Sequence, residues 1–219
     1  MRNGQRVVAF RTVIGRIATP DNHLHLTRYV AGRPVNPLAH GGFVGYRDTG
    51  SPWLGELLAY DAAGAPADPT ALSGKIAFAV RANDRMSMSP IWRMLRDGLL
   101  PASQLRELEA MEQNDFGRGG LYELTYRIET AAGEVVTGPH RVYRADALPN
   151  AWTASRLYTV PSNKNDWINR FWYRLTVAGG DADGLLDCGR LAPGGYRLLI
   201  DARDAAGNAA SASHPIVIA

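Results

Sequence analysis

The sequence predicts a mainly β protein: a short β-rich N-terminal piece, then a two-sheet antiparallel sandwich with a short helical insert. Three observations predict it. Seven runs rich in aromatic and β-branched residues recur along the chain, namely 53–60, 75–82, 121–129, 134–143, 171–177, 196–202 and 214–218. Gly, Pro, Asn and Asp clusters punctuate them, as in Ala131-Ala132-Gly133 and Ala205-Ala206-Gly207-Asn208, and apolar residues within many of the runs alternate with period two. One segment alone carries a helical period.

The N-terminal piece, residues 1–44, holds a pair of histidines and several prolines, and residues 45–52, Gly45-Tyr-Arg-Asp-Thr-Gly-Ser-Pro52, read as a linker into the sandwich. From 53 to 219 the strand runs follow one another at a spacing that suits two antiparallel sheets. The immunoglobulin-like sandwich is the architecture this spacing resembles. The closing stretch from Leu191 to Asn208 strengthens the resemblance, since it places Tyr196 at a strand start and ends the strand in a tight turn. The helical insert falls around 90–115. Within it Leu105, Leu108 and Met111 share a helix face and Ser103 stands where an N-cap belongs. Met86, Met88, Trp92 and Met94 precede it as a core-packing group or a ligand lip.

Composition removes several functions. Of 219 residues 46% are hydrophobic and 21% charged, enough to bury a core. The net charge of +3 comes from arginines spread along the chain, so no basic stripe for nucleic acid is formed. No apolar run approaches the roughly 18 residues that span a bilayer. The opening apolar run is too short for a signal peptide, so export of a parent protein would need a signal upstream. The single cysteine, Cys188, excludes an internal disulfide and a cysteine zinc cluster. It reads as a small core residue.

The chemistry-bearing pattern is His23-Leu-His25-Leu26, preceded by Val13-Ile-Gly-Arg-Ile17 and followed by Gly32-Arg-Pro-Val-Asn-Pro-Leu38. Two histidines at i and i+2 on a strand project to one face, which suits one metal ligand beside one acid/base group. This block resembles the C-terminal end of the M23 (lysostaphin/LytM-type) zinc metallopeptidases, whose His-x-His and Gly-x-Pro-Val-Asn-Pro motifs come in the same order. The resemblance implies zinc as cofactor, His25 as a metal ligand, His23 as a catalytic residue, and hydrolysis of peptidoglycan cross-links with the metal polarising water and carbonyl. It also implies a periplasmic or extracellular parent protein.

A catalytic zinc needs about three protein ligands, and the family takes the other two from an upstream His-x-x-x-Asp. No histidine precedes His23 in this chain. The expectation is therefore a fragment or degenerate form of the peptidase that is inactive as it stands and binds no zinc tightly. His40, His140 and His214 are isolated, and Asp181-Ala-Asp183-Gly184 has too few acidic positions for a calcium loop and reads as a turn. The competing expectation is a non-enzymatic immunoglobulin-like module that binds wall polymer or a cell-envelope protein. On that reading Trp152, Trp167, Trp172 and Tyr173 are candidate stacking residues, unless they pack the core.

Overall fold

The computed structural model describes residues 27–38, 48–84, 119–147, 151–159, 162–164 and 169–219. Its elements are mainly strands: β1 (Arg28–Val30), β2 (Arg33–Val35), β3 (Trp53–Asp61), β4 (Pro66–Ala67), β5 (Lys75–Asn83), β6 (Glu123–Thr130), β7 (Val135–Arg144), β8 (Asn163–Lys164), β9 (Asn169–Arg170), β10 (Trp172–Arg174), β11 (Leu186–Asp187), β12 (Gly194–Arg203) and β13 (Ala209–Ile218). A helix, α1, spans Ala151–Leu157. The insert expected around 90–115 lies outside the described residues.

Two antiparallel sheets carry the core. In the first, β5 is flanked by β3 on one side and by β10 and β11 on the other, with β4 beyond β3. In the second the order is β13-β12-β6-β7. Alternation explains which residues turn inward. Ile76, Phe78, Val80 and Ala82 of β5 meet Leu124, Tyr126 and Ile128 of β6, Leu198, Ile200 and Ala202 of β12, and Ile216 and Ile218 of β13 in one cluster. The two sheets thus share a single interior.

β5 is buried on both faces: Ala77, Ala79, Arg81 and Asn83 are also below 9% exposure. On that outer face Trp172 sits opposite Arg81 in register, and the Arg81 guanidinium lies 5.3 Å from the centre of the Trp53 ring. The register of β3 on β5 shifts between Leu54 and Leu57. Gly55 stands in this bulge because a Cβ there would come 2.1 Å from the Trp53 ring.

Tyrosines tie the layers together. Tyr173 is fully buried, and its hydroxyl accepts the Leu121 amide at 3.0 Å, linking β10 to the approach of β6. Its ring packs against Tyr158, Phe171 and Tyr143, with centroids 5.1, 6.2 and 6.5 Å away. The Tyr126 hydroxyl donates to the Ala178 carbonyl at 2.7 Å, and desolvation raises its pKa. Tyr196, at the start of β12, donates to the Ala192 carbonyl at 2.8 Å. The last strand is also stitched to the β4–β5 connection, where Leu72 N–H donates to Val217 O and Ala219 N–H to Leu72 O, each at 2.8 Å.

The expected run 171–177 is a strand only to Arg174; Leu175–Val177 form a 3-10 turn. The run expected at 214–218 begins at Ala209 and continues β12's hairpin over its full length. Cys188 is buried, as its type suggested.

His140 and His214 titrate against the fold. The His140 ring lies over Gly179, where a Cβ would approach it to 2.4 Å, and its Nε2 pairs with the Thr137 hydroxyl at 2.7 Å. Desolvation lowers the pKa of both histidines below the ordinary 6.5. The unfolded chain then binds more protons than the folded one in this range, so stability is full above the ordinary histidine pKa and falls as pH drops through it. Urea midpoints at successive pH values between 8 and 5 should decline, and His140→Gln and His214→Gln should each flatten the decline.

Candidate functional site

His23 and His25 lie outside the described residues, but the segment that follows them is described. β1 and β2 form a hairpin with Arg28 opposite Val35 and Val30 opposite Arg33. Its two turn residues, Ala31 and Gly32, have φ of 48° and 75°. That left-handed pair is what a tight two-residue hairpin turn demands, and it accounts for the glycine of Gly32-Arg-Pro-Val-Asn-Pro. Among the described residues β1 and β2 form a two-stranded sheet, and a proline such as Pro34 is tolerated on an edge strand of that kind.

The hairpin is seated on the second sheet at the end of β7. Val35 bridges to Ala147, and the Asn36 amide donates to the Asp146 carbonyl at 2.9 Å. The Asn36 side chain turns back to accept the Leu38 amide at 2.8 Å. Asp146 is itself clamped: its carboxylate accepts the Tyr122 hydroxyl and pairs with Arg144 Nε at 2.7 Å. The tyrosine hydroxyl first, and the guanidinium second, hold its pKa below the usual carboxylate value. The region expected to act as a linker is anchored within its length too, since Asn208 Nδ2 donates to the Asp48 carbonyl at 2.9 Å.

That second anchor belongs to a carboxylate cluster. Asp48 precedes β3, Asp84 follows β5 and Asp204 follows β12; all three are buried, at 7, 5 and 1% exposure. One carboxylate oxygen from each lies within 4.8 Å of the others. Asp204 is held by its own turn: Oδ1 accepts the amides of Ala206, Gly207 and Asn208 at 2.9, 2.7 and 2.8 Å. Its Oδ2 accepts Asn208 Nδ2 at 2.6 Å. The Asp48 carboxylate accepts the Gly50 amide at 2.9 Å, and the Asp84 backbone exchanges hydrogen bonds with Gly119 at 2.8 and 3.1 Å.

Like charges this close repel, by about 3–4 kcal/mol per pair at an effective dielectric of 20. An oxygen-only set suits a hard divalent cation better than zinc, which favours nitrogen and sulfur. Among the described residues the cluster is the one group of three His, Cys, Asp or Glu side chains at metal-ligand distances.

Sequence reading did not find this cluster. The Asp204–Asn208 turn was legible as a turn, but only the fold brings Asp48 and Asp84 to it. The other candidates resolve simply. Trp172 and Tyr173 are buried and offer no ring to a ligand; Trp152 and Trp167 side chains lie outside the described set. Asp181–Gly184 is a turn closed by Gly184 N–H to Asp181 O at 2.8 Å, and its acids pair with Lys75.

Asp204 can be tested through its turn. Asp204→Ala removes the buried acceptor of three turn amides and should cost about 1 kcal/mol or more in urea unfolding, whereas Asp204→Asn keeps an acceptor and should cost less. Compared with known proteins, the chain matches no family model, no curated protein and no solved structure.

Proposed function

We propose that this chain joins the exit end of an M23-type zinc endopeptidase domain to a non-catalytic immunoglobulin-like module, and that the parent protein is exported and acts on peptidoglycan. The seated hairpin carries the reading. Its turn and second strand are built from Gly32-Arg-Pro-Val-Asn-Pro, and Val35 and Asn36 fasten it to the module at Ala147 and Asp146. A module bonded to the peptidase exit has the right attachment to orient a catalytic domain. The immunoglobulin-like assignment is supported by the β13-β12-β6-β7 sheet facing a β3-β5-β10 sheet, and by Tyr196 bonding back to Ala192 at the start of β12, the arrangement of a tyrosine corner.

In this reading His25 is a zinc ligand and His23 assists the reaction by moving a proton or stabilising the tetrahedral intermediate. Zinc, when held by a complete ligand set, would polarise the attacking water. The 219 residues supply no His-x-x-x-Asp ahead of the pair, so the chain alone lacks the ligands for that step.

Zinc content and peptidoglycan hydrolysis test the reading together. This chain should hold well under one zinc per molecule and release no cross-link fragments. A polypeptide in which the natural upstream sequence precedes residue 1 should bind stoichiometric zinc and cleave, and His25→Ala should abolish both. An upstream sequence without His-x-x-x-Asp, or a longer protein that binds no zinc, would overturn the peptidase reading.

A further inference from the structure

The outward face of the second sheet is a grid of charges whose layout follows from strand register. Leu198, Ile200 and Ala202 point into the core, so Asp201 and Arg203 point out, and the same alternation turns Glu123 and Thr125 of β6 outward. Reading across the strands, one row runs Ala209, Arg203, Glu123, Arg144 and the next runs Ser211, Asp201, Thr125, Arg141. Small side chains at Ala209, Ser211 and Thr125 leave space between the long ones. The result is an open hollow of about 600 Å³ walled by three arginines and two carboxylates, a volume suited to a small ligand.

The carboxylates are already committed. Glu123 pairs with Arg141 Nε at 3.0 Å and lies 3.9 Å from Arg144 Nη1. Asp201 pairs with Arg127 Nη1 at 2.7 Å and accepts the Ser211 hydroxyl. Arg144 is further bound to Asp146. Arg203, exposed on the same wall, makes no ion pair with any of them among the described residues. The hollow therefore carries an excess cation with its guanidinium fork open, beside two arginines whose side chains are 60 and 40% exposed.

We propose that this hollow is a binding site for a carboxylate-bearing peptide, with Arg203 as the residue that receives the carboxylate through its bidentate fork. The choice of a wall stem peptide as occupant rests on the peptidoglycan reading above; the carboxylate chemistry rests on the hollow. Arg141 and Arg144 flank the bound group, and Ala209 and Ser211 give it room.

Calorimetric titration of the full chain with N-acetyl-Ala-γ-D-Glu-Lys-D-Ala-D-Ala and with its diamide tests the site. The acidic peptide should bind and the diamide should not. Arg203→Gln should weaken binding by about tenfold or more, with Arg203→Lys in between, while Arg190→Gln, whose partners Asp181 and Asp187 lie outside the hollow, leaves it unchanged. Ala209→Trp keeps every charge and fills the hollow, so it should abolish binding in a folded protein. Equal binding of peptide and diamide, no binding at millimolar concentration, or indifference to Arg203→Gln and Ala209→Trp would each overturn the proposal. These results are separable from the zinc assay: a longer protein that binds no zinc sinks the peptidase reading and leaves Arg203-dependent binding standing, and the reverse pattern does the opposite.

Discussion

The burial of β5 on both faces is the constraint on which the rest of the structure depends. One face, Ile76 to Ala82, supplies the floor of the shared core, while the other places Arg81 against Trp53 and opposite Trp172. A strand covered on both sides must have partners at both edges, and β3, β10 and β11 fill them. Its C-terminal end delivers Asp84 to the carboxylate cluster. Its N-terminal end delivers Lys75 to Asp181 and Asp183, which together with the Asp183 turn holds the connection into β11.

From that strand outward, the module has two chemically distinct regions. One end gathers loop residues from three places, Asp48, Asp84 and Asp204; Asn208 ties the start of the module to the β12–β13 turn, and the exit of β5 brings Asp84 within 4.8 Å of both carboxylates. The solvent face of the second sheet instead presents the charge grid around Arg203. The same alternation that fills the core with Leu198, Ile200 and Ala202 sets Asp201 and Arg203 outside, so core and surface are two readings of one strand.

Much of the fold was legible because period two survives in the sequence. Trp53–Asp61, Lys75–Asn83, Glu123–Thr130 and Val135–Arg144 lie within two residues of their expected bounds. The first half of β13 was not, since Ala209-Ala-Ser-Ala-Ser213 has neither β-branched nor aromatic residues; pairing with β12 makes it a strand. Helix α1 carries Trp152, Thr153 and Ser155 among its seven residues and offers no extended helical period. Of the candidate site, Gly32-Arg-Pro-Val-Asn-Pro stood out as a motif, but its left-handed turn at Ala31 and Gly32 emerges only from the backbone. The aspartate cluster was not legible, because its members come from three separated segments and each alone looks like a turn or strand-end residue. The seat of the hairpin was equally hidden, since it uses backbone groups of Asn36 and Asp146 that no side-chain pattern announces.

The central claim is that the β1–β2 hairpin and the two-sheet module are one structural unit, fastened through Asp146. Amide hydrogen exchange at Asn36 tests it most directly, because that amide is satisfied by the Asp146 carbonyl. The account predicts exchange slowed well below that of an open peptide and dependent on the clamp, faster in Asp146→Ala, where Tyr122 and Arg144 lose their anchor. An Asn36 amide that exchanges at the rate of an unstructured peptide while β12 amides stay protected would contradict it.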